Sequence, residues 1–138
     1  MEFTFERKVN YYETDKMGIT HHSNYIRFLE EARCQFLTDI SLPYELLEEK
    51  GVMIPVLGVN CNYKHSSTFG DTLVIKLKIK EFTGVKMIVE YEILNKETNT
   101  QVLTAETKHC FTDVSIKPVN LKKFMPEAYE ILNNIKSL

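Results

Sequence analysis

The feature that most constrains this chain is one wide apolar stripe. Tyr25, Phe28, Leu29, Ala32, Phe36, Leu37 and Ile40 recur at helical spacing over about 17 positions. A helix with so broad an apolar face must be covered, so it is expected inside the core. Ser23 or Asn24 is its expected N-cap. The rest of the chain has to supply the cover.

Most of that remainder has the period of strands. Phe3, Phe5, Val9 and Tyr11 fall on one side of a period-two pattern, which predicts a first strand. Pro43 and Gly51 bracket a short second helix. The run from Val52 to Tyr63 contains Pro55 and Gly58, so it is expected to bend or to lie at an edge. Leu73, Ile75, Leu77 and Ile79 alternate with Lys76, Lys78 and Lys80, a strand with one dry face. Met87, Val89, Tyr91 and Ile93 repeat that pattern after a turn at Thr83-Gly84. Val102 to Thr112 is a last strand rich in β-branched residues. Pro126 opens a C-terminal helix with Ala128, Ile131, Leu132 and Ile135 on one face. One strand, one long apolar helix and a four-strand meander predict an α+β fold in which an antiparallel sheet curls around the helix. With 138 residues, the chain is expected to form one domain spanning residues 1–138.

Composition narrows the function classes. A net charge of −2 leaves no basic footprint for nucleic acid. No stretch approaches the roughly 18 apolar residues of a membrane span, and the N-terminal MEFTFERKVN has no apolar leader core, so a cytoplasmic protein is expected. Cys34, Cys61 and Cys110 are far apart, with no CxxC or Cys/His ligand spacing. They are expected to be reduced and mostly buried, with no metal site.

The chemistry concentrates in the segment from Val9 to Arg33, VNYYETDKMGITHHSNYIRFLEEAR. Tyr11, Thr14, Asp15, Gly18, His22, Asn24, Tyr25, Glu30 and Arg33 stand in register with a known signature. It resembles that of the 4-hydroxybenzoyl-CoA thioesterase family of hotdog-fold proteins. Weaker likeness continues through Ile54-Pro55, Tyr63, Gly70-Asp71 and Lys117-Pro118. The resemblance implies a hotdog fold and hydrolysis of an acyl-CoA or acyl-carrier-protein thioester, with no metal and no organic cofactor. It implies Asp15 as the catalytic carboxylate, nucleophile or general base, and the His22 backbone N–H as oxyanion donor. Tyr11, Gly18, Asn24 and Tyr25 would line the substrate. It also implies a homodimer at minimum, expected as a homotetramer, with each active site between subunits. The chemistry agrees: a thioester needs an attacking group or base and donors at the developing oxyanion, and a helix N-terminus offers unpaired N–H groups.

Each residue also has a plainer reading. Asp15 before Gly18 suits a turn-stabilising Asx residue. Glu30 and Arg33, three apart on a helix, suit a surface ion pair. A second hotdog thioesterase lineage carries a catalytic Glu on its central helix, and Glu30 sits at about that offset from His22. The complete loop motif favours Asp15. Lys64 and Lys86 are the basic residues expected to meet a CoA phosphate, or else to be ordinary surface lysines. His65 has no expected partner, His109 suits a satisfied half-buried strand residue, and Ser66-Ser67 lacks a nucleophile-elbow context. A non-catalytic acyl-CoA-binding module is the alternative function, and a hydratase lacks its motif.

Overall fold

Residues 1–137 are described by the structure, a computed structural model. The apolar stripe becomes α1, His22–Asp39, with Tyr25, Phe28, Leu29, Ala32, Phe36 and Leu37 buried along it. Phe28 and Leu29 are wholly covered, each worth about 2 kcal/mol of apolar burial. The N-cap is neither Ser23 nor Asn24. His21 takes the position, its Nδ1 accepting from the Ser23 N–H at 3.2 Å. An imidazole nitrogen can cap as a hydroxyl does, which places the helix start two or three residues earlier than the usual cap residues suggest.

Around α1 lie β1 (Phe3–Lys8), β2 (Val56–Tyr63), β3 (Thr72–Phe82), β4 (Lys86–Asn95) and β5 (Gln101–Cys110). They form one antiparallel sheet in the order β1-β3-β4-β5-β2. The expected four-strand meander is thus corrected: only β3, β4 and β5 meander. β2 crosses to the far edge and pairs with β5, from Val56↔His109 to Tyr63↔Leu103, with a bulge between Val56 and Gly58. The bend and edge position expected from Pro55 and Gly58 are both present. Tyr11 is also corrected. β1 stops at Lys8, and Tyr11 falls in a 3-10 turn, Tyr11–Glu13, with its ring exposed.

The alternation of β3 and β4 puts Leu73, Ile75, Leu77, Met87, Val89, Tyr91 and Ile93 on the face that α1 covers. A bulge between Ile79 and Glu81 resets the phase, so that Phe82 also points inward. The short helix α2 is Tyr44–Glu49. A one-turn helix α3, Leu121–Phe124, was not visible as a period and leads into α4, Pro126–Lys136, whose Ala128 and Leu132 are buried. Gly84 lets this end close. Its φ is +90°, and a Cβ there would meet the Tyr129 ring at 3.1 Å. The three cysteines are free and half-buried rather than mostly buried. No helix among the described residues is long and apolar enough to cross a membrane.

Candidate active site at the N-terminus of the long helix

The loop between the 3-10 turn and α1 folds back on itself. Asp15 N–H donates to Ile19 at 2.8 Å and Gly18 N–H to Asp15 at 2.9 Å, while Thr14 bridges Thr20. Gly18 closes this turn at φ +81°, a conformation that L side chains resist. Thr68 Oγ1 donates to its carbonyl at 2.8 Å. The loop is anchored below by a hydroxyl cluster: Ser67, 2% exposed, bonds both Thr20 Oγ1 and the Tyr25 phenol at 2.7 Å. Nothing in the sequence pattern marks Ser67, because its partners are separated from it by over forty residues.

On this base Asp15 is half-exposed. Its Oδ1 accepts the Met17 N–H at 2.8 Å, an Asx turn, and its Oδ2 has no partner among the described residues. The turn reading and the catalytic reading are therefore compatible: one oxygen orients the carboxylate and the other is free. His22 is the first residue of α1, and its backbone N–H has no acceptor among the described residues. The positive end of the helix reinforces that donor. The His22 ring is exposed, stacked on His21 at 4.4 Å and edge-on to Tyr63 at 6.4 Å.

Asn24 and Tyr25 turn inward. Asn24 Nδ2 donates to the Glu13 carbonyl at 2.8 Å, and Tyr25 is 4% exposed on Ser67. They hold the loop against the helix. Tyr11 instead stands open at 75% exposure, edge-on to Phe69 at 5.6 Å, with Met17 and Tyr12 also exposed nearby in the chain. Beside them is a charge cluster that sequence reading missed. Arg7 grips buried Glu13 with Nη1 and Nη2 at 2.8 and 2.7 Å, donates to Glu31 at 2.8 Å, and lies over the Phe28 ring at 4.6 Å. The two carboxylates raise the guanidinium pKa further above its ordinary value.

The expected Glu30–Arg33 pair does not form. Glu30 is exposed, while Arg33 turns into the core and is 9% exposed. The carboxylate that finds a guanidinium is Glu31, one position along the helix. Lys64 and Lys86 are both exposed and not brought together. Lys64 N–H donates to Val102 at one end of the sheet, whereas Lys86 opens β4 at the other, roughly 25 Å away along the strand. His65 Nδ1 meets the Gln101 carbonyl at 2.9 Å. His109 is buried rather than half-buried, with Nε2 on Thr107 Oγ1 at 2.8 Å and Nδ1 unpartnered.

A family model for the thioesterase-like superfamily matches residues 9–130. The chain belongs to that superfamily. The Bacillus subtilis (strain 168) protein named "Putative acyl-CoA thioesterase YneP" is 34% identical over 128 residues, 91% of this chain and 93% of its own length. The acyl-CoA thioesterase YbgC of Haemophilus influenzae is 27% identical over 92% of this chain and 88% of its own. The solved structure of a DHNA-CoA thioesterase from Staphylococcus aureus superposes with a TM-score of 0.94 at 28% identity, covering 99% of this chain and 92% of that one. The thioesterase-like superfamily thus accounts for the α+β core and the five-stranded sheet together.

Proposed function

We propose that this member of the thioesterase-like superfamily is a thioester hydrolase acting on acyl-CoA, with Asp15 and the His22 N–H as its catalytic pair. One observation carries the residue assignment: a carboxylate with a free oxygen and a helix N-terminal N–H with no acceptor share one braced loop. Asp15 acts in one of two ways. It attacks the carbonyl carbon, expels the thiolate and leaves an anhydride that water opens; or it takes a proton from the water that attacks. In both, the tetrahedral oxyanion accepts from His22, an interaction strongest in the transition state. A thiolate leaves readily, which lessens the need for a strong general acid. The names of YneP, YbgC and the DHNA-CoA thioesterase support an acyl-CoA substrate.

The active form is a dimer joined along β2. This edge strand carries no charged residue and leaves Val56, Leu57, Val59 and Tyr63 exposed, an unprotected template for pairing. Two copies pairing antiparallel about the strand centre would set Val56 of one beside Tyr63 of the other. The Lys86 end of each subunit then approaches the Lys64 end of its neighbour, so one substrate can meet both lysines.

Thiol release from a panel of acyl-CoAs, with light scattering on the same samples, tests this reading. Val59→Lys should yield monomers and lose most of the activity. A stable monomer of 16.1 kDa with full activity would remove the dimer. A panel with no thiol release would favour the binding-module alternative.

A further inference from the structure

The segment that carries Asp15 is a short hairpin, with Glu13 and Thr14 on one arm and Ile19 and Thr20 on the other. Each arm is tied to α1. The Glu13 carbonyl accepts twice, from the His21 N–H at 2.9 Å and from Asn24 Nδ2 at 2.8 Å. Thr20 is tied through Ser67. Its N–H and Oγ1 reach the Ser67 carbonyl at 2.8 and 3.2 Å, and Ser67 Oγ bridges Thr20 Oγ1 to the Tyr25 phenol, 2.7 Å on each side. One proton order satisfies these buried hydroxyls: Tyr25 donates to Ser67, Ser67 to Thr20, and Thr20 to the Ser67 carbonyl. The Tyr25 ring is packed in turn between Phe28 and Tyr63, each with its centroid 5.9 Å away. Asn24 and Tyr25 are consecutive buried residues in the first turn of α1. One turn of helix therefore grips both arms of the hairpin.

The same turn presents the donor proposed for the oxyanion. The Ser23 N–H is taken by His21 Nδ1 at 3.2 Å and the Asn24 N–H by the His21 carbonyl at 2.9 Å. That leaves the His22 N–H as the first-turn donor with no acceptor among the described residues. The spare Asp15 oxygen and the His22 N–H thus belong to two different pieces of chain. Beyond the His21 N–H, the bonds that fix one piece against the other come from the side chains of Asn24 and Tyr25. We propose that Asn24 and Tyr25, the second acting through Ser67, are positioning residues rather than substrate contacts. Their buried polar ends set the distance between the Asp15 carboxylate and the His22 N–H. The inference rests on the Asp15–His22 reading above and deepens it. A carbonyl attacked at carbon and stabilised at oxygen tolerates little error, and a misplacement of about 1 Å costs about 10²-fold in rate. Binding of the thioester in its ground state does not depend on that distance, so the cost falls on kcat.

The experiment uses Asn24→Ala and Tyr25→Phe, neither of which orphans a buried group. The Glu13 carbonyl keeps the His21 N–H, Ser67 keeps Thr20, and phenylalanine keeps the ring. Each variant is assayed on the acyl-CoA that wild type hydrolyses fastest, with circular dichroism and light scattering on the same samples. Folded protein of wild-type size should show KM within about threefold, with kcat down about 10–100-fold for Asn24→Ala and about fivefold for Tyr25→Phe. Each substitution is then added to Asp15→Asn. A group that acts by placing Asp15 has little left to lose once that charge is gone, so the residual rate should change by less than about twofold. The full loss repeated on top of Asp15→Asn would mark a general structural role and overturn the proposal. A KM raised tenfold at unchanged kcat would return Asn24 to the substrate surface and overturn it too. If Asn24→Ala does not fold, Tyr25→Phe in the same two backgrounds decides by the same criteria. The two readings fail separately. A fully active Asp15→Asn removes the catalytic pair and the positioning with it. An inactive Asp15→Asn beside fully active Asn24→Ala and Tyr25→Phe removes the positioning alone.

Discussion

Glu13 and Asp15 lie two residues apart on one loop and have opposite surroundings. Glu13 is 5% exposed, with both oxygens held by Arg7 and a backbone N–H from Asn10. Asp15 is half-exposed, with one oxygen unpartnered, close in sequence to the uncapped His22 N–H. Saturated hydrogen bonding leaves a carboxylate nothing to offer a substrate, and it fixes the loop. A spare oxygen adds little to stability and leaves a group able to react. Their difference separates a scaffold carboxylate from the one proposed to carry the chemistry.

The largest expected effect breaks the reactive side. Asp15→Asn keeps the Asx turn but removes the negative charge, and should lower kcat by roughly 10²–10⁴ with the fold and oligomer unchanged. Glu30→Gln, on the exposed face of α1 and unpaired with Arg33, should stay within about threefold of wild type. Steady-state kinetics on both, with circular dichroism, decide between them. A dead Glu30→Gln beside an active Asp15→Asn would transfer the mechanism to the helix carboxylate.

The scaffold side should respond in stability. Glu13→Gln removes the buried partner of Arg7, which keeps Glu31, and should cost about 2–3 kcal/mol in urea unfolding. The rate per folded molecule should hold near wild type. A kcat that fell as far as in Asp15→Asn, with stability intact, would erase the distinction between the two carboxylates.

A smaller effect comes from His109 and sharpens the contrast by pH. Its folded pKa, about 4, lies below the ordinary 6.5, so the unfolded chain binds the proton more tightly. Stability should therefore be full above about pH 6.5 and decline as pH falls toward 4, by about 2 kcal/mol between pH 7.5 and 5. The urea midpoint of wild type should fall over this range, and that of His109→Gln should lack this fall. Parallel curves would mean that His109 does not carry the dependence.

Much of the fold was legible in the residues themselves. The stripe from Tyr25 to Ile40 named the long helix, and the alternations from Leu73 and from Met87 named two central strands. The loop signature is also the source of the Asp15 and His22 proposal. The N-cap was missed because a histidine nitrogen took the place of a hydroxyl. The Glu30–Arg33 pair was missed because helix spacing tells which residues are neighbours, not which way a long side chain turns.

Sequence alone determined the long helix and the alternating strands, since periodicity acts over a few positions and leaves a local trace. The tertiary structure decided what those elements meet. It sent β2 to the edge beside β5, closed Arg7 on Glu13 and Glu31, made Ser67 the anchor of the Asp15 loop, and buried Arg33 without a counter-charge. Those outcomes depend on side chains tens of residues apart arriving at one place. Their energies belong to the packed arrangement, and no local pattern records them.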